Sequence, residues 1–391
     1  MHDFIVVGAG IAGASLAYDL ARDASVCLIE AEPRPGYHAT SRSAALFAPS
    51  YGGREIRALT RASRGFFNRP PLDFCEHALL TQRGVLYIAR ADQIDRLQHM
   101  IAVIRESGGH VIDIDIEAAR ERVPLLRPGY VAAAAFDPDA MDIDVNGLHQ
   151  GFLRGARTAG ARLITGYKVT TVNRRNGLWT IDVNDEVVSA PVLVNAAGAW
   201  ADELANACGA RCIGLKALRR TALLVEGPAG VDIRHWPAVI DADEEFYFKP
   251  DATRLLLSPA DEIPQAPGDA QPEELDVAIA VDRVQAALDI DVRSVSHRWA
   301  GLRTFSPDRA PVVGFDPDVE GFFWCAGQGG YGIQTAPAMA RTAGALARHE
   351  KVPADVSAEG LTDADLAPHR FTTQVSRPSY NRALSPSVPG R

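Results

Sequence analysis

The chain is poor in cysteine, carries no surplus of positive charge and has no apolar run of the roughly 18 residues that would suggest a membrane span. Its five cysteines, Cys27, Cys75, Cys208, Cys212 and Cys325, are odd in number and scattered; only Cys208 and Cys212 are near enough for a local pair. No metal-ligand cluster accompanies them, so no metal is expected, and the thiols read as structural ones in a reducing compartment. With 40 Lys and Arg against 49 Asp and Glu, the net charge of −9 gives no general attraction to nucleic acid or anionic lipid. The N-terminus opens directly on strand-like residues, without the basic and apolar stretches of a signal peptide, which points to the cytoplasm. What is present is ordinary for a globular protein, 47% hydrophobic and 23% charged. At 391 residues the chain exceeds what one core usually serves, so two lobes sharing a ligand are expected.

Residues 3–8 read as a strand, 11–22 as a helix and 25–30 as a second strand, a βαβ opening that implies a parallel sheet. Further strands are expected over 162–173, 178–183, 187–195 and 321–326, the last running into glycines and a helix over 333–348. Between strand and helix, Gly8-Ala9-Gly10-Ile11-Ala12-Gly13 fits G-x-G-x-x-G. Gly8 permits the tight turn, Gly10 admits a pyrophosphate to the backbone, and Gly13 lets helix and strand pack closely. Amides at the helix start, Ile11 and Ala12 among them, then face the phosphates. Glu30, at the end of the second strand and followed by Ala31, stands where a carboxylate accepts ribose hydroxyls. FAD and NAD fit this unit equally well.

Farther along come Gly36-Tyr37-His38-Ala39-Thr40-Ser41-Arg42-Ser43-Ala44-Ala45, Val194-Asn195-Ala196-Ala197-Gly198-Ala199-Trp200, Gly301-Leu302-Arg303 and Gly327-Gln328-Gly329-Gly330-Tyr331-Gly332-Ile333. In this order they resemble the D-amino-acid oxidase and glycine oxidase superfamily of flavoproteins over about residues 1–370. Within it, the stretches Arg57-Ala58-Leu59-Thr60 and Phe74-Cys75-Glu76-His77 and the 295–335 region are most similar to bacterial FAD-dependent D-arginine dehydrogenases. The resemblance implies an α/β fold: a Rossmann-like FAD-binding domain (1–75, 145–215 and 295–370) with an interleaved α+β substrate domain (76–144 and 216–294) on a mostly antiparallel sheet. Residues 371–391, polar and aperiodic, read as a mobile tail. By the same resemblance Arg42, Ser43, Ala44, Ala45, Val169, Ala197, Gly198, Trp200, Gly301, Arg303, Gly329, Gly330, Tyr331, Gly332, Ile333 and Gln334 join the glycine turn in holding FAD. No cysteine adjoins Arg303, so the flavin is expected to be non-covalent.

Oxidising an α-amino acid requires a grip on the carboxylate and an α-hydrogen aimed at the acceptor, which makes positioning the main task. The resemblance assigns the carboxylate to Arg303, pocket closure to Tyr51 and Tyr247, and supporting roles to Arg220 and the backbone carbonyl of Gly332. A guanidinium suits a carboxylate because its contact is planar and two-pronged. The chain departs from the D-arginine dehydrogenases where an acid meets the substrate guanidinium, which here is Val85, and where a histidine stands, here Leu46. With Ile240 these imply an apolar side-chain pocket and a neutral or hydrophobic substrate. Asp241, Asp243, Glu244 and Glu245 read as a solvated loop, and His38, His77 and His149 as structural. The expected partners are a small amino acid and an electron acceptor, whether a quinone, another carrier or oxygen. An N-alkyl amino acid or 2-hydroxy acid remains a second reading, and a flavin-binding protein without turnover a third.

Overall fold

The computed structural model describes residues 1–371. The expected tail therefore lies outside the described residues, except for Phe371, which ends a 3-10 turn, Pro368–Phe371. Phe4–Val7, Val26–Ile29 and Phe322–Ala326 are apolar throughout and buried at every position, as befits strands covered on both faces. They sit in a six-stranded sheet whose order is Val312–Phe315, Phe322–Ala326, Val192–Asn195, Phe4–Val7, Val26–Ile29, Arg162–Ile164. All pairs are parallel but the first. The helices Ile11–Leu20, Val145–Thr158 and Gly332–Ala347 share one core with this sheet, through Leu16, Phe152 and Met339. On another core, Trp179, Ile181 and Val188 bring up a three-stranded antiparallel sheet.

Two expected strands prove to be two elements each. The stretch 162–173 divides into Arg162–Ile164 of the large sheet and Asn173–Arg175 of the small one. The stretch 187–195 breaks at Pro191, which lacks an amide donor, between Glu186–Ala190 and Val192–Asn195.

A ten-stranded sheet carries the second lobe, antiparallel except where Ala238–Asp241 runs alongside Val85–Ala89. Its two long strands, Lys216–Glu226 and Val295–Phe305, pair along most of their length. Val295–Phe305, expected with the FAD-binding segments, thus belongs to the ten-stranded sheet, and the chain changes sheets after Phe305. Alternation along the strands divides its residues between two faces. Cross-strand partners put Gly301 beside Arg220, Arg303 beside Leu218, Tyr247 beside Ile240, Ile240 beside Tyr87, and Ala238 beside Val85. On the opposite face Leu223, Val239, Phe248, Leu257 and Leu86 pack with helix Glu274–Ala287 into an apolar core. Among the described residues no helix is long and apolar enough to cross a membrane.

Candidate active site

The glycine turn and the loops after Val26–Ile29, Val192–Asn195 and Phe322–Ala326 all leave the carboxyl ends of their strands, the end at which open α/β sheets bind ligands. There they border a cavity of about 510 Å3. Gly8 has φ of +101°, and a Cβ there would lie 2.4 Å from the Ala196 carbonyl oxygen. A Cβ on Gly13 would lie 1.8 Å from the Gly8 oxygen, whereas one on Gly10 would meet only Thr40 Oγ1, at 3.3 Å. Gly8 and Gly13 therefore make the turn close-packed, and Gly10 leaves its backbone open to the cavity. Buried Glu30 accepts from the Ala9 amide at 2.6 Å and the Glu32 amide at 2.9 Å, fixing its carboxylate at the cavity wall. His149 Nε2 lies 2.9 Å from the Ala9 carbonyl oxygen. Burial lowers the pKa of His149, so the neutral ring donates and holds the turn from the neighbouring helix.

A second cavity, about 90 Å3, adjoins the first and shares Ser43, Ala44, Arg220, Tyr247, Arg303 and Gly330 with it. Its floor is the sheet face already described: Val85, Tyr87, Ala238, Ile240 and Tyr247. Leu46 and Tyr51 close it from the other lobe. Arg303 has no ion-pair or hydrogen-bond partner among the described residues. A Cβ on Gly330 would stand 2.9 Å from the Arg303 Cζ, so Gly330 gives the guanidinium its room. The Tyr51 and Tyr331 rings meet edge-on at 5.4 Å. Tyr51 is held well above the usual phenol range, by the charge of Glu244 first and burial second, so it stays protonated as a hydrogen-bond donor. Buried Gln334 takes the Ala48 amide on Oε1 at 3.0 Å and leaves Nε2 without a partner at this cavity.

The expected residues gather well, with instructive exceptions. Gly8, Gly10, Ile11, Ala12, Glu30, Ala31, Arg42, Ser43, Ala44, Val169, Ala197, Gly198, Trp200, Gly301, Gly329, Gly332 and Ile333 border the larger cavity. Gly13 sits behind the turn, and Ala45, Tyr331 and Gln334 border the smaller cavity alone. Arg42 borders the larger cavity, yet its guanidinium is engaged with Asp269 at 2.5 Å and with the Ala270 and Ala300 carbonyls, each at 2.9 Å. Arg220 is tied to the Asp261 carbonyl at 2.7 Å and lies 3.4 Å from Glu262.

In the stretch read as a solvated loop Asp243 and Glu244 are exposed on a turn, but Asp241 is not. Asp241 is 1% exposed and accepts from Gln93 Nε2 and from the Asp243 and Glu245 amides. That turn puts Glu244, at φ +54°, on the smaller cavity. Tyr87, Lys249 and Thr40 were also missed; Thr40 caps Ile11 N at 2.9 Å. Cys325 borders the larger cavity, but burial pushes its thiol up to about 12, so it is no thiolate nucleophile.

The cradle suits FAD: an open glycine backbone at the end of a strand, an anchored carboxylate and an adequate cavity. Known proteins agree. The chain is 24% identical to the uncharacterized oxidoreductase YurR of Bacillus subtilis over 91% of its length and 98% of that protein's. It is also 24% identical to hydrogen cyanide synthase subunit HcnC of Pseudomonas aeruginosa, covering 91% and 94%. Human mitochondrial dimethylglycine dehydrogenase matches at 24% over 95% of this chain but 45% of its own length. In structure the chain is similar to glycine oxidase from Geobacillus kaustophilus, with a TM-score of 0.79, 21% identity, and coverage of 90% and 95%. Residues 3–346 match the family described as DAO, FAD dependent oxidoreductase. The chain thus belongs to the DAO family and is an FAD-dependent oxidoreductase.

Proposed function

We propose that the chain oxidises a small free amino acid with a neutral side chain, of the D configuration, to an imino acid that hydrolyses to a 2-oxo acid and ammonia. The observation that carries this reading is Arg303: a guanidinium with no ion-pair partner among the described residues, walled by tyrosines, between a dinucleotide cradle and a second cavity of about 90 Å3. A desolvated guanidinium of this kind seeks a carboxylate. Tyr51 and Tyr247 border the same cavity and supply phenols that bind the substrate and shield it from water. Leu46, Val85 and Ile240 receive the side chain, and the Gly332 carbonyl orients the amine. FAD, when bound, supplies the hydride acceptor. It is held without a covalent link, since the one thiol at its cavity is kept protonated. In this reading 1–75, 145–215 and 306–370 hold the cofactor, and 76–144 with 216–305 hold the substrate.

The dimethylglycine dehydrogenase likeness favours an N-alkyl amino acid as the second reading, because a carboxylate grip serves it equally. Anaerobic titration with D- and L-amino acids and their N-methyl forms, following loss of the flavin band, tests both. Bleaching by neutral D-amino acids with ammonia release is expected. Bleaching by N-methyl forms alone, without ammonia, would replace the first reading by the second.

A further inference from the structure

The loop that carries Tyr51 to the smaller cavity is tied to both lobes. Leu46–Phe47 pairs with Met141–Ile143, and the Ala48 amide donates to Gln334 Oε1 at 3.0 Å, on the helix Gly332–Ala347. The Tyr51 amide donates to the Ala48 carbonyl at 3.1 Å, which closes residues 48–51 into a turn. The tie to the other lobe comes from inside that turn. Ser50 Oγ donates to Asp137 Oδ2 at 2.5 Å, and Asp137 ends Ala133–Asp137, a strand of the ten-stranded sheet. The second oxygen of Asp137 accepts from the Asp139 amide at 2.9 Å.

Stability alone does not account for this carboxylate. Asp137 is 1% exposed, stands opposite Val85 in the sheet and has no ion-pair partner among the described residues. Burial pushes its carboxyl up, against the pull of the Ser50 hydroxyl. A buried anion without a cation is costly, and an apolar residue in the same covered strand would cost less. What the carboxylate adds is a charge-assisted bond of fixed direction, stronger than one to a neutral acceptor. Both of its oxygens are used, so an amide in its place would turn an NH2 toward one of the two groups that now donate to it. Ser50 is buried as well, and behind it a Cβ on Gly109 would stand 3.4 Å from the Ser50 Cβ. The serine is therefore held between a backbone and an anion, one residue before Tyr51.

We infer that Asp137 is a positioning residue: through Ser50 it fixes the turn that carries Tyr51, and so sets where the phenol meets the substrate. The inference rests on the proposed reading that Tyr51 binds the substrate in the smaller cavity. Asp137 itself touches neither substrate nor cofactor, and acts on the reaction only through the loop it anchors.

The test is a double-mutant cycle on the FAD-loaded protein, with Ser50→Ala and Asp137→Asn each made in the wild type and together with Tyr51→Phe. D-valine is followed by kcat and KM. A second probe, 3-methylbutanoate, is D-valine without its amine, and its dissociation constant is read from perturbation of the flavin band. In the wild-type background each substitution is expected to weaken 3-methylbutanoate, and to lower kcat/KM for D-valine, by about tenfold. With Tyr51→Phe the same substitutions are expected to cost less than about twofold, because the hydroxyl being positioned is gone. A side chain that only holds the fold together costs the same in both backgrounds, so equal losses overturn the inference, as do unchanged constants in the wild-type background. Ser50→Ala decides alone if Asp137→Asn does not fold. If D-valine leaves the flavin oxidised while 3-methylbutanoate follows the expected cycle, the positioning role stands and the proposed reaction falls. If D-valine is oxidised and the losses are equal, the reaction stands and the positioning role falls. If neither ligand binds, both fall.

Discussion

Arg303 is the residue at which charge, space and shape converge. Its guanidinium fits against Gly330, where even one added carbon would press on Cζ at 2.9 Å. Replacing it by lysine keeps the charge and loses the second prong. Arg303→Lys is expected to raise KM by about 10- to 100-fold, from loss of one charge-assisted hydrogen bond of roughly 1.5–3 kcal/mol, with a smaller change in kcat. Steady-state kinetics separate the two; an unchanged KM would remove Arg303 from the carboxylate site. His149 supports a different expectation. Its pKa lies below 6.5 in the folded chain because of burial, against the opposing pull of the Ala9 carbonyl. The unfolded chain then takes up the proton first as pH falls, so stability declines below about pH 6.5 and levels off beneath the folded value. Denaturant titrations from pH 8 to 5 should show this decline, and His149→Gln should flatten it by up to about 1.4 kcal/mol per pH unit.

At the scale of elements, Arg42 shows how a correct location can hide a different task. It joins the 36–44 segment to Asp269, whose other oxygen lies 3.4 Å from the Tyr37 hydroxyl. Gly268 and Ala270 of that second segment border the dinucleotide cavity, so the ion pair closes its flank. Asp269→Asn is expected to speed FAD release several-fold, read as recovery of flavin fluorescence after dilution. An unchanged release rate would mean that the segment does not retain the cofactor. The glycine turn was legible in sequence because its requirements are local: Gly8 and Gly13 answer to atoms within one turn and the adjoining loop. Arg303 and Tyr247 were legible only through resemblance. Tyr87 and Glu244 were not legible, because each reaches the site through strand register and a turn built around Asp241, which join residues about 150 positions apart. The charges at 241–245 suggested solvent, and Asp243 and Glu244 do face it, but Asp241 is a buried carboxylate with three donors.

For the whole molecule, the decisive feature is where the cavity lies. One set of apolar clusters belongs to the parallel sheet and its helices, another to the face of the antiparallel sheet beneath helix Glu274–Ala287, and the cofactor cradle draws residues from both sheets. Gly8, Glu30 and Ala197 come from the first sheet's loops, Gly301 and Arg303 from one of the second sheet's two long strands. A ligand there binds the assembled arrangement and not the separated lobes, so its binding energy becomes coupling between them. At a free concentration about 1,000 times Kd, one such ligand adds roughly 4 kcal/mol to the assembled state. Differential scanning calorimetry of the FAD-free protein is therefore expected to give a broadened or split transition, as the two cores melt separately. Saturating FAD should merge it into one sharper transition at higher temperature. Riboflavin, which lacks the pyrophosphate and adenosine, should shift the transition less, because it leaves the glycine turn and Glu30 unengaged. A rise confined to one of two transitions, with the other unchanged, would place the cofactor wholly within one lobe.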